Sequence, residues 1–223
     1  TYIFSQIDYK NQSFNIGIES INEFRDFLLI KNDANYKSEM EPLIKWGIDN
    51  FKKYGFDVER LETPELPLLL ASKIISEKAK TILIYLQFDG QPVDNSKWEQ
   101  QDPYRAVLKE KINEKYEIVD WEILKGISMK DILEKDLRIF ARSSSDAKGP
   151  VMMMLSALEI MRRNDIELKY NIKVIMDFEE EISSPNLAAA VKKYSSKLKS
   201  DALFIFDGPK HPCLLYTSDA ADD

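Results

Sequence analysis

Apolar residues recur with two different periods along this chain, and together they predict alternating helices and strands. Four segments repeat apolar positions at the spacing of an amphipathic helix: residues 18–30, 38–55, 148–163 and 184–199. Five short runs rich in Leu, Ile and Phe are typical of buried strands: residues 66–74, 81–88, 137–143, 171–178 and 201–208. Their order predicts an α/β fold, a three-layer sandwich with a mostly parallel central sheet.

Residues that favour helix ends or one helix face refine these boundaries. Gly55 is predicted to cap the second helix, and Ser184 to cap the fourth, with Pro185 in its first turn. In the third helix the apolar positions share one face, so we interpret the methionines at 152–154 as core residues rather than metal ligands.

Composition and charge exclude some classes of function. The chain has 223 residues, 44% of them hydrophobic and 31% charged, with a net charge of −7. No basic stripe is present, so we expect no nucleic-acid partner. No apolar run reaches the roughly 20 residues that cross a bilayer, so we expect no membrane partner. A single cysteine, Cys213, and a first residue that is not Met leave the cellular compartment open.

The end of the chain does not continue the pattern before it. Residues 213–223, CLLYTSDAADD, match the translation of a transposon mosaic-end sequencing adapter. We interpret them as a processing scar and leave them out of fold prediction. The alternative is a genuine polar tail.

Acidic residues follow the predicted strands repeatedly. They are Asp89, Asp146, the run Glu179–Glu181 and Asp207. In open α/β sheets, ligands bind outside the carboxyl ends of the strands, so these acids are expected at one edge. A divalent metal pair would offset their mutual repulsion. The alternative is that acids such as Glu179–Glu181 merely stabilise the N-terminus of the helix that follows.

Four stretches with these acids resemble one family in sequence and order: QFDGQPVD, RSSSDAKGP, FEEEISSPNL and FIFDGP. The family is the zinc exopeptidases that include carnosinase-type dipeptidases, carboxypeptidase G, aminoacylase and acetylornithine deacetylase. The resemblance runs from about residue 66 to residue 212. It implies a catalytic domain that holds two zinc ions and hydrolyses the amide bond of dipeptides or N-acyl amino acids. It also implies a small inserted domain that makes a homodimer contact.

The resemblance also implies roles for individual residues. Asp146 matches the carboxylate that bridges both metals, Glu181 a ligand to one zinc and Asp207 a ligand to the other. Glu180 matches the general base, and Asp89 the acid that orients the first histidine ligand. Glu179 would then be a supporting or surface residue. The peptide bond after Asp146 is expected to be cis.

Two departures from the family matter. Gln87 stands where the family has its first histidine ligand, and an amide oxygen binds zinc more weakly than imidazole. Either Gln87 ligates, or Asp89 turns in to bind metal, so one metal ion or a harder one also fits. His211 does not match the remaining histidine ligand, which the family supplies from a later part of the catalytic domain. We interpret His211 as a surface residue or one outside the ligand set.

We therefore expect residues 1–212 to be the N-terminal part of a catalytic domain, inactive alone, with residues 111–135 as a surface insertion. The dimerisation domain and the C-terminal catalytic part would lie outside the chain. The alternative function is a degenerate homologue that binds a peptide or amino acid without turnover. A plain interaction module is disfavoured by the acids at the strand ends.

Overall fold

The computed structural model describes residues 8–207, which form seven α-helices and eight β-strands. The helices are α1 (Tyr9–Glu19), α2 (Ile21–Leu29), α3 (Glu41–Lys53), α4 (Met129–Glu134), α5 (Lys148–Arg163), α6 (Leu187–Lys193) and α7 (Ser195–Leu198). The strands are β1 (Asp57–Leu61), β2 (Leu68–Lys73), β3 (Thr81–Gln87), β4 (Val107–Ile112), β5 (Lys115–Val119), β6 (Arg138–Phe140), β7 (Asn171–Asp177) and β8 (Ala202–Phe206). Within these residues, no helix combines the length and apolar composition that a bilayer-spanning segment requires.

The central sheet has five strands in the order β1-β2-β7-β3-β8. Strand β3 pairs in parallel with β7 and with β8, while β2 pairs antiparallel with β1 and with β7. The sheet is therefore mixed, and its parallel part is the half in which β7, β3 and β8 end at the same edge. That half carries the predicted acids.

Side chains alternate between the two faces of this sheet, as the pleat of a strand requires. On β3, Ile84 and Leu86 pack into a cluster shared with α2, α3 and α5. Leu83, one residue before Ile84, packs on the opposite face with residues of α6 and α7. Helices thus cover both faces, and the predicted three-layer α/β sandwich is confirmed.

Residues 107–140 contribute a second, antiparallel sheet in the order β5-β4-β6. The strand predicted at 137–143 is present only at Arg138–Phe140, and it belongs to this sheet rather than the central one. Its residues pair with β4. Which strand it pairs with depends on residues distant in sequence and not on the local apolar pattern. The segment 111–135 covers β5, α4 and the end of β4.

Three of the predicted helices differ at their ends. The segment 18–30 belongs to two helices, α1 and α2, separated at Ser20. The segment 184–199 is divided at Tyr194, and its helix begins at Leu187. Ser184 is not its cap, because the Ser184 hydroxyl donates to Asp177 Oδ2 at 2.8 Å instead. The helix predicted over 38–55 begins at Glu41, but its end is confirmed, since Gly55 follows it with a φ of +77°.

Candidate metal-binding active site

The acids at the parallel edge of the sheet are brought there by three adjacent strands. Asp89 follows β3, Glu179–Glu181 follow β7, and Asp207 follows β8. The register places Gln87 opposite Asp177, so the ends of β3 and β7 are level. Asp146 does not follow a strand of the central sheet but lies in the loop before α5. Its peptide bond to Ala147 is cis, as expected.

Asp89 is fully buried and organises the loop that holds the glutamates. Its Oδ1 accepts the backbone N–H of Glu180 at 3.1 Å, and its Oδ2 accepts that of Glu181 at 2.9 Å. Burial raises the pKa of Asp89 to about 7, although the two hydrogen bonds oppose the rise. Both carboxylate oxygens are therefore engaged with the neighbouring loop rather than directed into open space.

Mutual repulsion among the acids shows that they share one region. Burial raises the pKa of Asp146, and the charge of Asp207 raises it further. Burial and the charges of Asp207, Glu181 and Asp146 raise the pKa of Glu180. Burial also raises the pKa of Glu181, again with a contribution from Asp146. Each of these carboxylates would be stabilised in its ionised form by a cation among them.

The carboxylates at this edge meet part of what a divalent ion requires. Among residues 8–207, no group of three or more His, Cys, Asp and Glu side chains is close enough to hold a metal ion. The oxygens nevertheless suit one chemically: Asp146 Oδ1 is buried without a hydrogen-bond partner, a state that costs about 1–3 kcal/mol. An all-carboxylate set of this kind fits zinc or a harder divalent ion.

Gln87 and Glu179 are both almost completely buried, with 2% and 3% of their surface exposed. Within residues 8–207, the Gln87 side chain takes part in no hydrogen bond. Glu179 Oε2 accepts from Asn186 at 2.8 Å, so Glu179 supports the loop and is not a surface residue. His211 lies outside the described residues.

Positively charged and polar groups near the acids were not predicted from the sequence. The charge of Arg142 opposes the rise in the pKa of Asp146 and of Glu181. Gln91 donates a hydrogen bond to Glu181 Oε2. Gln91 lies within the QFDGQPVD stretch and Arg142 begins the RSSSDAKGP stretch, so their positions were the only available signal.

Comparisons with known proteins find similar metallopeptidases. Residues 119–213 match the family model described as Peptidase family M20/M25/M40. The Cys-Gly metallodipeptidase of Schizosaccharomyces pombe is 22% identical over 96% of this chain and 42% of its own length. Among solved structures, human carnosine dipeptidase 1 has a TM-score of 0.68, with 20% identity over 90% of this chain and 41% of its own.

A metallo-carboxypeptidase of the M20 family from Sulfolobus solfataricus has a TM-score of 0.67, with 26% identity over 87% of this chain and 38% of its own. The chain spans less than half the length of these relatives. The resemblance drawn from its motifs is confirmed, and the chain is similar to metallopeptidases of peptidase family M20/M25/M40.

Proposed function

We propose that this chain is the N-terminal part of a metal-dependent hydrolase that cleaves the amide bond of dipeptides or N-acyl amino acids. The observation that carries the proposal is the gathering of Asp146, Glu180, Glu181 and Asp207 at one sheet edge, where the charges of the other three raise the pKa of Glu180. Relatives named as dipeptidases support the substrate class.

The exposure of β8 supports a longer catalytic domain. Leu203, Phe204 and Ile205 are 55%, 50% and 60% exposed, although they occupy both faces of the strand. An apolar cavity of about 420 Å³ lies beside Leu203 and Ile205. Apolar residues on both faces of a strand are typical of a sheet interior. The proposal is therefore that a further part of a catalytic domain, outside residues 1–212, covers this strand, and that residues 213–223 are an adapter scar.

Different residues of this chain would have different roles in the reaction. Asp146, Glu181 and Asp207 would hold the zinc. Zinc, when bound, supplies a Lewis acid for the scissile carbonyl and lowers the pKa of a water. Glu180 would take a proton from the attacking water and return it to the leaving amine. Burial and the neighbouring carboxylates raise the pKa of Glu180, the direction that favours its holding a proton. Asp89 would hold Glu180 and Glu181 in place through their backbone N–H groups.

Substitutions at two adjacent residues test the proposed roles of Glu180 and Glu181 in the complete protein. Glu180→Gln should keep its zinc and lose roughly 10²–10⁴-fold in turnover, the contribution of a general base. Glu181→Gln should lose zinc as well as turnover. Zinc per chain would be counted by plasma mass spectrometry, and turnover measured on a panel of dipeptides and N-acyl amino acids. A parent that binds no zinc, or a Glu180→Gln protein that turns over like the parent, would contradict the proposal.

The buried Gln87 favours one second candidate, a homologue that binds its ligand without turnover. If Gln87 has removed a zinc ligand, Gln87→His should create zinc affinity and hydrolysis that the parent lacks. A parent that already binds two zinc ions and hydrolyses dipeptides would exclude this candidate, and a parent with one zinc would indicate a single-metal hydrolase.

A further inference from the structure

Asn32 joins the two loops that carry Asp89 and Asp146. It is fully buried, and its Nδ2 donates to the backbone carbonyl of Phe88 and to Ser143 Oγ, both at 2.9 Å. Its own backbone carbonyl accepts the N–H of Gly90 at 2.8 Å. One asparagine side chain and its peptide group therefore contact the residues on either side of Asp89 and a residue of the Asp146 loop.

Lys148 also connects the Asp146 loop to the end of α2, just before Asn32. It is fully buried, and its Nζ donates to the carbonyl oxygens of Phe27 at 2.9 Å and Ile30 at 2.5 Å. These are carbonyls at the C-terminal end of α2, where a helix leaves acceptors without partners. The backbone N–H of Lys148 donates to the carbonyl of Ser143 at 3.0 Å, which closes the loop around Asp146.

We infer that residues 27–32, here called the bracket segment, set the spacing between the Asp89 loop and the Asp146 loop and so position the metal ligands. This inference rests on the proposed function. The bracket segment lies outside residues 119–213, which match the family model, and it supplies none of the predicted ligands. Its residues act by positioning others, because their contacts are with backbone groups and Ser143 rather than with the carboxylates themselves.

The expected size of the effect follows from the behaviour of metal sites. Losing a partner that orients a ligand typically weakens metal binding 10–100-fold. Asn32 makes both hydrogen bonds with buried partners, so a variant leaves the carbonyl of Phe88 and the hydroxyl of Ser143 without their donor. The two loops would then be free to move apart.

Asn32→Ala is the direct test in the complete protein, and Asn171→Ala is its matched control. Asn171 is also a buried asparagine, with 4% of its surface exposed, and its side chain bonds to the backbone of Ile75, Ser76 and Ala79. It lies at the first residue of β7, the end of the strand opposite the acids. Both variants should unfold more easily, but only Asn32→Ala should weaken zinc binding 10–100-fold.

Ser143→Gly provides a second variant in case Asn32→Ala does not fold. It removes the hydroxyl that accepts from Asn32, while glycine suits the Ser143 φ of +62°. Weaker zinc binding without a loss of stability would separate positioning from a merely structural role. Zinc affinity would be measured by competition with a chromogenic chelator.

Hydrogen exchange of the metal-free protein gives a readout that does not require zinc. The inference predicts faster exchange for amides 88–91 and 143–149 in Asn32→Ala and Ser143→Gly, and not in Asn171→Ala. If the parent binds no zinc but this exchange pattern appears, the proposed function is wrong, while the spacing role of the bracket segment is supported. If the parent binds zinc, and Asn32→Ala and Ser143→Gly match it in zinc affinity and in hydrogen exchange, the inference about the bracket segment is wrong.

Discussion

Asp89 Oδ2 accepts the backbone N–H of Glu181 at 2.9 Å, so the end of β3 fixes the loop that follows β7. The second oxygen of the same carboxylate accepts the N–H of Glu180 at 3.1 Å. Asp89 engages only the backbone of Glu180 and Glu181, so their side chains can contact other groups, as that of Glu181 does with Gln91. With their backbone held in this way, Glu180 can act as the proposed general base while Glu181 acts as the proposed zinc ligand.

Asp89→Asn should weaken zinc binding of the complete protein by about 10–100-fold. An amide has one acceptor oxygen, so its NH₂ group would face one of the two backbone N–H groups and displace the loop. Zinc affinity by chelator competition is the measurement. Asp94→Asn is the control, because Asp94 also accepts a backbone N–H, from Ser96 at 3.1 Å, in an exposed turn. Parental affinity in Asp89→Asn would show that the loop holds its place without this carboxylate.

The sequence predicts the elements whose structure depends on local pattern. Strands β3 and β7 and helix α5 lie where the apolar periods place them, because each buries a continuous run against the sheet or the helical layer. The acids at the ends of β3, β7 and β8 were also predictable, since parallel strands end at a common edge.

Long-range polar contacts account for what the sequence did not reveal. Ser184 has the local signature of a helix cap, but Asp177 competes for its hydroxyl. The run at 137–143 looks like a central strand, but its pairing partner is β4. Asn32 and Lys148 carry no local signal at all, because the groups they bond lie more than fifty residues away in sequence.

Gly90→Ala should lower the free energy of unfolding by about 1–3 kcal/mol, the usual cost of overpacking. A Cβ on Gly90 would overlap Ser143 Oγ and lie 2.9 Å from Asn32 Nδ2. Urea unfolding of the metal-free protein is the measurement. Adding Ser143→Gly removes the nearest atom, so the double variant should recover part of the loss. Full additivity of the two changes would show that they do not interact.

Ser183→Gly should stabilise the protein by roughly 0.5–1 kcal/mol. Ser183 has a φ of +72° in the left-handed region, where a Cβ is sterically unfavourable, and its side chain is exposed, so little packing is lost. Ser196→Gly is the matched control, because Ser196 is an exposed residue inside α7 and glycine should destabilise it there. Thermal unfolding measures both, and a loss of stability in Ser183→Gly would show that the serine side chain contributes more than its backbone costs.

Glu159 should make folding stability depend on pH in the acid range. Its carboxylate accepts from Arg162 Nη2 and from Arg163 Nε, both at 2.7 Å, and these bonds lower the pKa of Glu159 from 4.5 to about 2. Between those values the unfolded chain binds a proton that the folded chain does not, so acid favours unfolding. The contribution is complete above about pH 4.5 and is lost as the pH falls towards 2.

Glu159→Gln should therefore be less stable than the parent at pH 7, by up to about 1 kcal/mol because the arginines are partly exposed. The difference should shrink between pH 4.5 and pH 2, which urea unfolding of the metal-free protein at pH 7, 4 and 3 would show. Glu77→Gln is the control, since Glu77 is exposed and forms no salt bridge among residues 8–207. A difference between Glu159→Gln and the parent that stays constant with pH would mean that the ion pairs with Arg162 and Arg163 do not form in solution.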